Sequence, residues 1–210
     1  MNLTTKLLNI VAEIQEDFKD DELAYLAVTS KIEHPLRDRI AFALHKRLQD
    51  DFFICREWQS IKGNRTDLAI IGKKDNKPKL LIEFKARSVP GYSSRYTEHL
   101  KGDLMKMANV ADNGTSLYCV FFNTCIEKKI DPKYIVPVKY LNRINNRINE
   151  EKTINAMIDE YWIEYLKGFP KNKYKKIEIQ AGYYYETPVS IIAYVYGPIT
   201  KLELEGNTKG

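Results

Sequence analysis

Hydrophobic positions along this chain change period several times. Leu7, Ile10, Val11, Ile14 and Phe18 recur at helical spacing, which predicts an amphipathic helix over 3–18. Asp20 and Asp21 are placed to cap a short second helix reaching about Ala27. A third helix is expected over 31–49, with Ile32, Leu36, Ile40, Ala43, Leu44 and Leu48 as its buried stripe. The pattern then shortens to strand-like runs at 52–60, 66–72 and 79–87. A turn-rich segment, 88–95, leads into a helix over about 96–111 with Tyr96, Leu100, Leu104, Met107 and Ala111 on one stripe. The run SLYCVFF, 116–122, is apolar throughout, as a strand covered on both faces requires. Beyond it Pro132 and Pro137 punctuate a connection. A short helix is expected at 138–147, a longer one at 150–166, and strands at 174–180 and 189–196 joined by AGYYYETP.

Two of the strands break their own pattern. The chain reads TDLAIIG, then the polar turn KKDNKP, then KLLIEFKA. Asp67, Glu83 and Lys85 stand in apolar runs where a buried charge costs free energy unless it is compensated. Side chains alternate along a strand, so Asp67, Ala69 and Ile71 share a face, as do Leu81, Glu83 and Lys85. In an antiparallel hairpin, pairing Asp67 with Glu83 or with Lys85 puts the three polar groups together. Leu68, Ile70, Leu80, Ile82 and Phe84 then form the core face. Two carboxylates and a lysine converging on one hairpin point to a metal site with a catalytic lysine. Hard cations such as Mg²⁺ prefer such oxygen ligands.

The Asp67 and Glu83-Phe84-Lys85 pair, with its helix–strand–strand–strand–helix–strand surroundings over 31 to about 122, resembles the PD-(D/E)XK nuclease superfamily. Thr66 stands where that family often has its eponymous proline. The resemblance implies an α/β fold: a restriction-endonuclease-like core with a central mixed β-sheet flanked by helices. One domain spans 1–210, with N-terminal helices at 1–30, the nuclease core at 31–125 and an α/β extension at 126–210. It also implies a Mg²⁺-dependent endonuclease acting on DNA, with Mn²⁺ as a possible substitute and 5′-phosphate products. Asp67 and Glu83 would be metal ligands, joined by the backbone carbonyl of Phe84. Glu33 would be a supporting acid, directly or through water; yet Ser30-x-x-Glu33 also reads as a helix capping box. Asp38 would take over if Glu33 only caps. Lys85 would either help deprotonate the attacking water, given a lowered pKa, or stabilise the phosphate by its charge.

Arg37, Arg65, Arg87, Lys101 and Lys106 are candidate phosphate contacts. Arg37 could instead support Glu33. His99, Asp103 and Lys106 share one helix face, for which a solvated surface is the plainer reading. Further basic groups recur at Lys62, Lys73, Lys74 and Arg95, and KGFPKNKYKK, 167–176, interleaves lysines with aromatics.

Composition narrows the classes. The chain has 210 residues and a formal net charge of +5, which permits nucleic-acid binding without requiring it. Its three cysteines, Cys55, Cys119 and Cys125, lack the spacing of a zinc cluster or disulfide framework. There is no signal-peptide pattern and no apolar run of spanning length, so a cytoplasmic protein with no membrane partner is expected. No P-loop, dinucleotide fingerprint or serine-triad motif is present. Within nucleases, a restriction or defence enzyme is the first expectation and a junction resolvase or repair nuclease the close rival; fixed plasmid fragments would indicate the former and a preference for branched DNA the latter. A homodimer is expected, because duplex cleavage often uses two active sites; a partner methyltransferase or subunit is left open. A non-catalytic nucleic-acid-binding module on the same fold is the rival from another class.

Overall fold

The computed structural model describes residues 2–60, 63–87, 94–126, 128–131, 133, 145–146, 148, 154–166 and 173–207. Its elements run α1 (Leu3–Glu13), a 3-10 turn (Ile14–Asp17), α2 (Glu22–Thr29), α3 (Glu33–Leu48), β1 (Phe52–Gln59), β2 (Arg65–Gly72) and β3 (Pro78–Arg87). They continue with α4 (Ser94–Ala108), β4 (Ser116–Ile126), α5 (Ile154–Tyr165), β5 (Tyr174–Tyr184), β6 (Thr187–Ile199) and α6 (Lys201–Asn207). The expected helix at 138–147 lies almost wholly outside the described residues, as does most of the 88–95 segment.

Six strands form one mixed α/β sheet in the order β1-β2-β3-β4-β6-β5. Only β3 and β4 are parallel, joined through α4; the other neighbours are antiparallel. The strands of the last third of the chain therefore complete the central sheet, with β6 directly on β4. β4 runs four residues past the apolar stretch that announced it, because its polar residues find partners. Asn123 Nδ2 donates to the Ile192 carbonyl and Thr124 Oγ1 to the Ala27 carbonyl at 3.1 Å. AGYYYETP is mostly strand, with Tyr185 and Glu186 alone making the turn.

Each face of the sheet has its own helices. Phe84 stacks on Phe122 with ring centroids 6.1 Å apart. On that face the Tyr118 hydroxyl meets Thr4 of α1 at 2.6 Å, and Thr124 reaches α2. α3 lies beside them, burying Leu36, Ile40, Ala41, Leu44 and Leu48. On the opposite face Phe121 packs edge-on to Trp162 of α5 at 5.0 Å, and Trp162 stacks on Tyr194 at 4.4 Å. α4 covers the same face through Leu100, Leu104 and Met107. Covering both faces explains why β2, β3 and β4 are near-continuous apolar runs.

One expected cap takes other work. Asp21 precedes α2 with φ 59 and makes no side-chain cap. Its Oδ1 instead accepts the Tyr183 N–H at 2.6 Å, tying α2 to the β5–β6 hairpin. Gly182 allows this approach: its φ is +102, and a Cβ there would lie 2.6 Å from Asp21 Oδ1. Among the described residues no helix is long and apolar enough to cross a membrane.

Candidate active site at the β2–β3 gap

From the turn, β2 and β3 pair from Ile71↔Pro78 to Leu68↔Ile82 and then part. Continuing that register would set Asp67 opposite Glu83 and Thr66 opposite Phe84. Instead β2 stays with β1, where Trp58 pairs Thr66 and Gln59 pairs Arg65. β3 stays with β4 as far as Arg87↔Asn123. The result is a gap inside the sheet, with one edge of β3 facing it.

Carboxylates satisfy that edge. The Phe84 N–H donates to Asp67 Oδ2 at 2.8 Å, and the Ala86 N–H to Glu33 Oε2 at 2.9 Å. A strand residue directs its N–H and C=O to the same side, so the Phe84 carbonyl also faces the gap. Glu83 Oε1 accepts the Asp67 N–H at 3.3 Å. The structure thus brings Asp67, Glu83, Phe84, Lys85 and Glu33 to one place.

Glu33 is the first residue of α3, after Ile32 in the N-cap position. The capping box does not form, because Ser30 Oγ donates to the Leu26 carbonyl. Glu33 is turned toward β3 and also pairs with Lys31 at 2.9 Å.

Glu83 is 2 % exposed. Burial and the neighbouring Asp67 charge push its pKa from 4.5 up to about 7, against the pull of Lys106 and Lys85. Lys106 Nζ lies 2.6 Å from Glu83 Oε1, and Lys85 Nζ 3.5 Å from Oε2. Asp103 completes the group, 3.2 Å from Lys85 and 3.7 Å from Lys106. The α4 face that read most simply as solvated therefore turns two charged residues into the site. Asp103 borders the buried stripe of Leu100, Leu104 and Met107, which was the available signal.

The expected lowering of the Lys85 pKa is reversed. Burial works against its charge, but the carboxylates of Asp103 and Glu83 outweigh it and hold the ammonium protonated. On the neighbouring strand, burial pushes the Cys119 thiol well up, so it is no nucleophile.

Arg37 is 8 % exposed and does not support Glu33. Its Nε bonds Asp38 Oδ1 at 2.9 Å and its guanidinium also pairs with Glu57. Asp38 binds Arg56 at 2.7 Å, and Glu57 binds Arg65 at 2.9 Å. Arg37, Asp38 and Arg65 are thus committed to an ion network on the β1 side of the gap. Sequence reasoning missed Glu57, which falls between the pairs Arg56↔Leu68 and Trp58↔Thr66, opposite Asp67. Its φ of 51 is left-handed, a costly state for a non-glycine strand residue.

Of the other basic candidates, Arg87 ends β3 half-buried and Lys101 is exposed outside the cluster. Lys62 and the side chain of Arg95 lie outside the described residues. So do residues 167–172 of the basic segment, while Lys173 pairs with Glu203 at 2.5 Å and Lys176 with Asp159 at 2.7 Å. Lys73 sits over the Phe53 ring.

The donor set suits a hard cation. Asp67 uses only Oδ2 on Phe84, Glu83 is a buried carboxylate beside a second acid, and the Phe84 carbonyl adds a neutral oxygen. Among the described residues no three His, Cys, Asp or Glu side chains form a metal cage by themselves. Mg²⁺ is commonly held by one or two carboxylates with substrate oxygens completing its shell. Compared with family models, curated proteins and solved structures, the chain matches none.

Proposed function

We propose that this protein is a metal-dependent endonuclease of restriction-endonuclease-like architecture that hydrolyses DNA phosphodiester bonds, serving restriction or defence. The observation that carries the reading is the parting of β2 from β3. It sets Asp67, Glu83, the Phe84 carbonyl and Lys85 around one gap at an opening of the sheet.

Asp67, Glu83 and the Phe84 carbonyl would hold Mg²⁺, or Mn²⁺ in its place. When bound, the cation supplies charge stabilisation to the phosphate and lowers the pKa of water. Asp103 keeps Lys85 protonated, so Lys85 offers positive charge to the phosphate or orients water by donating a hydrogen bond. The raised pKa of Lys85 favours these roles over that of proton acceptor. Glu33 and Asp67 hold the backbone of β3 in place by accepting its N–H groups.

Supercoiled plasmid, linear duplex, branched DNA and RNA, each with Mg²⁺, Mn²⁺ or EDTA, test the reading with wild type beside Lys85→Ala. The expected result is metal-dependent DNA cutting that the variant loses, with discrete plasmid fragments. Preference for branched DNA would move the assignment to junction resolution or repair. Salt-sensitive DNA binding with no cleavage by wild type would indicate a binding module instead. Sedimentation with and without DNA checks the proposed homodimer.

A further inference from the structure

Two ammonium groups address one buried carboxylate, and they come from different elements. Lys85 belongs to β3, the strand that carries Glu83. Lys106 comes from α4 and makes the closer contact, 2.6 Å against 3.5 Å. Glu83 is also one of the two acids assigned above to the metal. Contact with a Glu83 oxygen is therefore claimed by two cations, and like charges cannot share it without heavy repulsion in a buried site.

The geometry points to Lys106 as the group that yields. Its side chain is 30 % exposed, much like the 35 % of Lys85, so both have a way out to solvent and it is their partners that separate them. Asp103, three residues earlier on the same helix, already lies 3.7 Å from its ammonium and offers a second partner. Lys85 is more firmly placed by Asp103 at 3.2 Å. We propose that Lys106 is a built-in counter-ion for Glu83 that a divalent cation must displace, so that this lysine sets the metal affinity of the site. The proposal rests on the metal-site reading of Asp67 and Glu83.

The consequence runs against the intuition that removing a site residue weakens a site. Binding a cation at Glu83 includes the cost of breaking the Lys106 contact. Lys106→Met keeps most of the aliphatic stem and abolishes that cost. Mn²⁺ binding to the full-length protein at pH 8 can be followed by the electron paramagnetic resonance signal of free Mn²⁺, without DNA or turnover. Lys106→Met should bind about tenfold more tightly than wild type, as expected when a competing ion-pair contact is removed. Lys46→Met removes an equal charge from an exposed position at the other end of α3 and should change affinity by less than about twofold, since screening is strong over that distance. Thermal melts of each variant check folding.

Equal or weaker Mn²⁺ binding by a folded Lys106→Met variant would overturn the displacement idea, as would an equal gain in Lys46→Met. If wild-type binding is lost in Asp67→Asn while Lys106→Met matches wild type, the metal site stands and only this inference fails. If neither wild type nor Lys106→Met binds Mn²⁺, the metal-site reading fails and takes the inference with it.

Discussion

Replacing Glu83 by glutamine should stabilise the folded protein at alkaline pH, although Glu83 lies at the centre of the site. The folded carboxyl has a pKa of about 7 against an ordinary 4.5. Between those values the folded protein holds a proton that the unfolded chain has released. Stability contributed by this group is therefore present in full below pH 4.5 and is lost as pH rises to about 7. The gap corresponds to about 3 kcal/mol when ionisation is complete. The side chain is only 3 % exposed, so little solvent discount applies. Between pH 5 and pH 8 the cost grows by roughly 2–3 kcal/mol, or about 5–10 °C in Tm for a chain of this size. Glutamine keeps the shape and an oxygen for Lys106 without the charge. Thermal melts of wild type and Glu83→Gln in EDTA, at pH 5 and pH 8, read the effect as a difference of differences that cancels every other titrating group. A Gln variant whose advantage is the same at both pH values, or which is the less stable at pH 8, would refute the reasoning.

Other consequences are as direct. Mg²⁺ at ten times its Kd should add about 1.4 kcal/mol to wild type at pH 8; melting scans should show the rise vanish in Asp67→Asn, and also below pH 6, where Glu83 keeps its proton. Glu33→Gln retains an acceptor for the Ala86 N–H and should stay within about 1 kcal/mol of wild type in urea unfolding, whereas Glu33→Ala strands that amide at a cost of about 1–3 kcal/mol. Gly182→Ala should lose about 1–3 kcal/mol by the same assay, through both its positive φ and the clash with Asp21.

The catalytic-looking triad was legible because strand periodicity is short and unforgiving. An acid within TDLAIIG or LLIEFKA has only two faces to choose between, so Asp67, Glu83 and Lys85 could be placed together from spacing alone. Helix periodicity leaves more room. Asp103 and Lys106 lie at the margin of a buried stripe, and the neighbouring strand decides whether that margin meets water. Glu33 was ambiguous because its partner, the Ala86 amide, is distant in sequence and carries no side-chain signature. The Arg37 network was hidden for a related reason. It includes Glu57, whose left-handed backbone nothing in the residue type announces. The C-terminal strands were recognised, but not their place, since joining β4 is a long-range choice that local pattern does not encode.

The parting of β2 and β3 also bears on how the protein avoids itself. An opened strand edge is a template on which another chain can add a strand, and natural sheets guard such edges with charge. Here the guards are Asp67 and Glu33, whose oxygens already occupy the Phe84 and Ala86 amides that an invading strand would need. An incoming backbone carbonyl would meet a carboxylate at each position. The acids that face the proposed substrate therefore double as gatekeepers against self-association. Neutralising both at once would do more than silence a reaction: it would leave a sticky edge in the middle of the sheet.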